Sequence, residues 1–168
     1  MNLGILDENA AAVATQNLTY ALKCVAYDDA YLRMDANGVD KPAPEGAGTV
    51  NAQIGAGPWE QFILTPQDGG TVALLSAEWS NCYVRIGTPS PQQIKPINCQ
   101  FSCGALEKWL MRFVGPNRVA FECSTLSGYY LSLNTEGAKN GSGNGVGIAQ
   151  GIQELNENAT FELVSQSG

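Results

Sequence analysis

The side chains able to do chemistry in this chain sit mostly near glycine, serine and asparagine, in turns. No histidine occurs among the 168 residues. That removes the Ser-His-Asp triad, the Cys-His pair and the His-rich zinc site, all of which depend on imidazole. Asp28 and Asp29 form a carboxylate pair inside a turn. A catalytic dyad needs two carboxyls facing a substrate across a cleft, one with a raised pKa, and adjacent turn residues do not supply that. Gly141 to Gly147 is glycine-rich, but it follows no strand–helix pattern and precedes no lysine, so it reads as a loop and not as a phosphate cradle. No catalytic residue, cofactor or metal ligand set is expected.

The remaining polar clusters suit holding a ligand better than transforming one. Trp79 stands between Glu78 and Ser80-Asn81, and Tyr27 precedes Asp28-Asp29. An aromatic ring beside carboxylates or amides is a common way to hold a sugar, with CH faces on the ring and hydroxyls on the polar groups. The competing reading is that the turn folds back and the ring caps the core. Arg33 and Arg85 are expected on the outward side of their strands, solvated and weakly paired with Asp28, Asp29 or Glu78. The candidate ligand-binding residues are therefore Tyr27, Asp28, Asp29, Arg33, Glu78, Trp79, Asn81 and Arg85.

These turns are positioned by a repeat. The stretch Val72–Ile86 (VALLSAEWSNCYVRI) lies on Val119–Leu133 after a shift of 47 residues and on Tyr20–Met34 after a shift of 52, both without a gap. Within it, apolar residues alternate with polar ones, the period-2 mark of a half-buried strand. Tyr27, Trp79 and Leu126 are equivalent, so the third repeat does not copy the aromatic tip. Leu22, Leu74 and Phe121 match, as do Cys24, Ser76 and Cys123, and Tyr31-Leu32, Tyr83-Val84 and Tyr130-Leu131; all are expected in core layers. Trp59 and Trp109 are expected to begin fourth strands and pack inward. Each unit of about 50 residues then carries four strands, and three units around a pseudo-threefold axis bury what one cannot. Residues 1–18 have no counterpart and read as an N-terminal arm. The domain follows as 19–168, with repeats near 19–67, 71–116 and 117–164.

The repeat wording resembles a known group. Three four-strand units with hairpins ending in Tyr-Leu or Tyr-Val are similar to a β-trefoil, an all-β fold of twelve strands. Tyr31-Leu32-Arg33, Trp59-Glu60-Gln61-Phe62 followed by Thr71-Val72-Ala73-Leu74, and Gly128-Tyr129-Tyr130-Leu131 resemble the fascin-like trefoils. Trp109 to Phe113 followed by Pro116 resembles the amaranthin-like agglutinins. The Q-x-W signature of ricin-type sugar-binding trefoils is absent, so their binding residues do not transfer. The resemblance implies a non-catalytic carbohydrate-binding protein, a lectin with shallow, unequal sites whose partner is a carbohydrate or glycoprotein. A fascin-like protein-interaction or actin-binding module is the first alternative. A protease inhibitor or toxin targeting domain, presenting loops such as Lys41–Gly48 and Thr88–Pro91, is the second.

Charge and cysteine usage narrow the partners. A net charge of −7 argues against nucleic acid and other polyanions, which are bound through clustered Lys and Arg. It also weighs against the actin reading, since the nine Lys and Arg show no cluster. The five cysteines form no CxxC pair and read as reduced, buried thiols, with a Cys99–Cys103 bridge or a single secreted disulfide as the alternatives. The first residues lack a basic segment before their apolar start, and Asp7-Glu8 interrupt it. No stretch approaches the length of a membrane span. The expected location is the cytoplasm, or export without a classical leader, and a homodimer is compatible with all of this. The sequons at Asn17, Asn140 and Asn158 read as chance matches.

Overall fold

A computed structural model describes residues 18–87 and 94–166. The arm up to residue 17, with Asn17 of the first sequon, and the Thr88–Pro91 loop lie outside the described residues. Twelve strands follow one another: β1 Thr19–Cys24, β2 Ala30–Asp35, β3 Thr49–Ile54, β4 Gln61–Pro66, β5 Val72–Ser76, β6 Cys82–Ile86, β7 Lys95–Phe101, β8 Trp109–Gly115, β9 Arg118–Cys123, β10 Tyr130–Asn134, β11 Ile148–Ile152 and β12 Phe161–Ser165. All pairings are antiparallel. β1, β4, β5, β8, β9 and β12 pair in a closed ring, so the barrel has no exposed edge. The other strands form three hairpins, β2–β3, β6–β7 and β10–β11. They touch one another through β7–β11 pairing and through bridges from Ala47 to Cys99 and from Ala52 to Val146. A six-stranded barrel with three such hairpins is a β-trefoil.

The register explains the repeat. Cys24 faces Phe161, Ser76 faces Phe62 and Cys123 faces Trp109. Two residues along, Leu22 faces Leu163, Leu74 faces Leu64 and Phe121 faces Met111. All but Leu163 and Ser76 are essentially sealed from solvent, and those two are also buried. Phe121 and Phe161 meet in tilted contact at 6.1 Å between ring centres. A serine holding the place of two cysteines shows that this layer needs a small side chain and not a thiol. All five thiols are free, four of them buried and Cys103 half-buried. Burial pushes Cys24 up to about 11 and Cys99 up to about 12, which keeps both protonated and unreactive at neutral pH.

Two expectations about the core are corrected. Tyr31, Tyr83 and Tyr130 are only half-buried; the fully buried partners are their neighbours Leu32, Val84 and Leu131. A strand alternates faces, so the side chain beside a core-facing Leu32, Val84 or Leu131 points the other way. Trp59 and Trp109 are also not equivalent. Trp109 belongs with Phe62 and Phe161 in the barrel, wholly buried, with its indole N–H donating to the Val84 carbonyl at 3.4 Å. Trp59 lies in the short 3-10 turn Pro58–Glu60 that precedes β4, half-buried, and matches Leu106 and Asn158 in the other units.

Candidate functional site

The first hairpin tip of each repeat, the β1–β2, β5–β6 and β9–β10 turns, folds back onto the seam with the neighbouring repeat. Trp79 in the β5–β6 turn meets Trp59 of the preceding repeat in tilted contact, 5.1 Å between ring centres, and its indole N–H donates to the Met34 carbonyl at 3.0 Å. Its backbone N–H is held by the Ser76 hydroxyl at 2.9 Å. Tyr27 in the β1–β2 turn takes the same place on the third repeat. Its hydroxyl oxygen accepts from the Asn158 amide at 3.0 Å and from the Thr135 backbone N–H at 3.4 Å. Leu126 and Leu106 fill the corresponding positions of the third seam, where the Thr125 hydroxyl donates to the Ala105 carbonyl at 3.0 Å. Aromatic, polar and aliphatic pairs thus do one structural job. Glu78 and Asn81 stay exposed at the second tip, the Asn81 amide donating to the Ser102 hydroxyl at 3.3 Å. Replacing Trp79 by phenylalanine keeps an aromatic ring against Trp59 and removes the indole donor. The expected cost is about 1–2 kcal/mol, read by urea denaturation, because the Met34 carbonyl loses its partner. A neutral result would mean that water serves that carbonyl equally well.

Tyr27, Asp28 and Asp29 come together in a groove of about 390 Å³. Ala26 and Ile54 give it apolar ground, and Thr135, Ala138 and Lys139 of the third repeat form the facing wall. Asp28, Asp29 and Lys139 are exposed, so the groove carries two carboxylates and one ammonium at its rim. Tyr31 stands beside it. Burial, and after it the Asp29 carboxylate, pushes the Tyr31 hydroxyl above its ordinary range.

Arg33 and Arg85 are corrected most sharply. They are not solvated: they are 2% and 6% exposed. Their partners are Glu60 and Glu107, at 4.0 and 3.8 Å, and not Asp28, Asp29 or Glu78. The Arg33 guanidinium also lies 4.8 Å over the Trp59 ring. Each glutamate in turn accepts from the backbone N–H that opens its 3-10 turn, Gly57 at 2.6 Å and Gly104 at 2.7 Å. Burial raises both glutamates above the ordinary carboxylate value, against the opposing pull of those N–H groups and of the arginines.

These buried groups clamp the long loop of the repeat before. Arg33 donates to the Gly143 carbonyl at 3.2 Å and Asn51 to the Asn144 carbonyl at 3.0 Å. The Gln53 amide brackets Ser142, donating to its carbonyl at 2.6 Å and accepting from its N–H at 3.1 Å. One repeat on, Arg85 and Asn98 both donate to the Glu45 carbonyl at 2.9 Å, and Gln100 brackets Ala43 in the same way, at 2.7 and 3.0 Å. The third repeat has Ser132, Gln150, Ile152 and Ala159 at the four positions. Among the described residues its Ser132 hydroxyl bonds the facing Gln150 carbonyl, at 2.9 Å, and Asn156 caps the turn in place of the glutamate, at 3.0 Å. The loop that would dock there, 87–94, is eight residues long against thirteen for 36–48 and 135–147. The third repeat thus lacks both the arginine–glutamate pair and a partner loop of thirteen residues.

The clamp connects to the groove. The loop that Arg33, Asn51 and Gln53 hold is the one whose Thr135, Ala138 and Lys139 form the groove wall. Thr135 and Lys139 carry no signal in the sequence, because loop residues have no periodicity. The clamp did leave a signal: Asn51, Gln53, Gly57 and Glu60 recur 47 residues later as Asn98, Gln100, Gly104 and Glu107. The same docking commits the Lys41–Gly48 backbone at Ala43 and Glu45 to the neighbouring repeat. Among the described residues no group of His, Cys, Asp or Glu could hold a metal ion, and no helix is long and apolar enough to cross a membrane.

Known structures share this architecture. The designed threefold-symmetric protein ThreeFoil superposes with a TM-score of 0.66 at 17% identity, covering 88% of this chain and 99% of its own. The Rhizoctonia solani agglutinin gives 0.65 at 16% identity, covering 89% and 96%. The Polyporus squamosus lectin gives 0.57 at 13% identity over 90% of this chain, which spans 49% of that protein. At these identities the likeness is one of fold. No protein-family model and no curated sequence matches the chain.

Proposed function

We propose that this chain is a non-catalytic carbohydrate-binding protein whose principal site is the groove between the first hairpin tip and the third-repeat loop. The supporting observation is the convergence of Tyr27, Asp28 and Asp29 with Thr135 and Lys139 across the pseudo-threefold seam. A sugar needs carboxylates to accept from its hydroxyls, a cation or hydroxyl to donate, and apolar ground for its CH face. Tyr27 has both acceptor positions of its hydroxyl filled, so its remaining capacity is to donate. The likeness of fold to an agglutinin and a lectin is consistent with this reading. Arg33 and Arg85 contribute by holding the loops and not by touching ligand.

A fascin-like actin-binding role fits less well. Arg33, Arg85 and Lys95 are buried, Lys108 is paired with Asp68 at 2.7 Å and Arg112 with Glu122 at 3.5 Å, which leaves few cations to meet an acidic filament. The direct test is a glycan array probed with the wild-type protein and with Asp28→Asn/Asp29→Asn. The expected result is binding to a defined glycan class that weakens about tenfold in the variant, since hydrogen bonds to charged groups are the stronger ones. No glycan signal at high protein concentration overturns the reading.

A further inference from the structure

A second groove, of about 420 Å³, lies on the barrel wall beside the β9–β10 turn, and it shares no residue with the first. Leu110 and Arg112 of β8 and Glu122 of β9 line it, with Ser124 and Ser127 of the β9–β10 turn and Gly69 and Thr71 from the β4–β5 connection. Glu122 is held from behind: one carboxylate oxygen accepts from the Gly128 N–H at 2.8 Å while the other faces the Arg112 guanidinium at 3.5 Å. Both side chains are mostly covered, 24% exposed for Arg112 and 12% for Glu122. The fold does not require this pair. At the equivalent positions the first barrel seam has Val164 and Lys23, and the second has Thr65 and Leu75. A partly exposed ion pair adds little to stability by itself, yet here it is rigidly placed over an apolar floor with two serine hydroxyls at the edge.

We propose that this groove is a second saccharide subsite, one that takes a neutral sugar through a vicinal diol, and that it makes a single chain bivalent. The inference rests on the carbohydrate reading given above. One hydroxyl of a diol donates to the Glu122 carboxylate while its neighbour accepts from Arg112, so the pair is bridged without being broken. Leu110 underlies the CH face. A phosphate or sulfate would gain Arg112 but would face Glu122 at the same distance, so a neutral polyol is favoured over an anion. Two weak sites on one rigid body raise avidity toward a multivalent surface and allow cross-linking.

The test is an amide NMR titration of the whole chain with methyl galactoside, methyl mannoside, N-acetylglucosamine and inorganic phosphate, using the Gly128 N–H as reporter for Glu122. The expected result is a saturable shift of Gly128 with at least one sugar. That shift should persist in Asp28→Asn/Asp29→Asn, and it should need about tenfold more sugar in Glu122→Gln, which keeps an acceptor for Gly128. Arg112→Gln provides the same reading from the other partner if the first variant folds poorly. Shifts confined to the Tyr27–Lys139 groove would overturn the second subsite and leave the carbohydrate reading standing. Shifts at neither groove would overturn both. A Gly128 response to phosphate and to none of the sugars would make the groove an anion site and overturn the diol assignment.

Discussion

Replacing Arg33 by serine is expected to cost about 3–5 kcal/mol of stability, the usual penalty for leaving a buried charge without its partner. Glu60 is then the stranded group. It is 5% exposed, and without the guanidinium only the Gly57 N–H still favours its charge. Replacing Glu60 by alanine should cost less. The guanidinium retains the Asn51 amide oxygen at 3.2 Å, the Gly143 carbonyl, Asp35 at 3.9 Å and the Trp59 face. The double variant Arg33→Ser/Glu60→Ala installs the residues that the third repeat uses at these positions, Ser132 and Ala159. Its cost should fall well short of the sum of the single costs, with a coupling of about 1–3 kcal/mol. Urea denaturation of the four proteins measures this directly, and additive losses would show that the pair is not a unit.

The same variant should depend on pH in a stated direction. Glu60 already has its folded pKa raised above the ordinary value near 4.5, chiefly by burial, and losing Arg33 removes one of the two interactions that oppose the rise, leaving the Gly57 N–H. A carboxyl with a raised folded pKa takes a proton more readily folded than unfolded. Stability therefore increases as pH falls through the folded value, and the gain is complete below the unfolded one. The Arg33→Ser deficit should shrink between neutral pH and about pH 4.5, while Arg33→Ser/Glu60→Ala should show no such recovery. A deficit that stays constant over that range would mean that Glu60 titrates in the single variant as it does in the parent protein, because water reaches it once the guanidinium is gone.

Gly145→Ala is the second large effect, and it reaches both fold and function. Gly145 has φ +74°, and a Cβ there would stand 2.6 Å from the Asn51 amide oxygen and 2.8 Å from the Ala52 carbonyl. Left-handed strain of about 1–2 kcal/mol adds to the loss of a buried hydrogen bond of about 1–3 kcal/mol. The combined expectation is about 3 kcal/mol. Gly38→Ala is the matched control. Its φ is +83°, but nothing lies within 4 Å of the added carbon, so it should show the strain alone. Because the Gly145 loop also walls the first groove, glycan affinity should fall in Gly145→Ala and hold in Gly38→Ala, on the array and in thermal melts alike. Equal behaviour of the two alanines would sink the clamp as the reason for the glycine. Gly46, with φ +72° and Asn98 at 2.6 Å, is the same residue one repeat on.

Much of the fold was legible because burial inside a closed barrel imposes a period. Leu22, Leu74 and Phe121 had to recur, and the gapless shifts located them along with all three first hairpins. Period 2 by itself leaves a choice between neighbours, as with Tyr31 against Leu32, and residue type alone does not separate Trp59 from Trp109, which differ in register. The candidate site was legible in one half only. Tyr27, Asp28 and Asp29 stand together in the chain, whereas Thr135 and Lys139 reach them from the last repeat.

The sequence by itself determined a threefold, all-β chain without imidazole chemistry, with strand positions set by apolar alternation and turns set by glycine and asparagine. Only the tertiary structure decided which polar residues face inward. Arg33 and Arg85 look like surface residues in a one-dimensional pattern, since their partners Glu60 and Glu107 lie over twenty residues away and the loops they hold come from another repeat. Burying a guanidinium is favourable only when carboxylate and carbonyl groups converge on it from several directions, and that convergence is a property of three repeats closed around an axis.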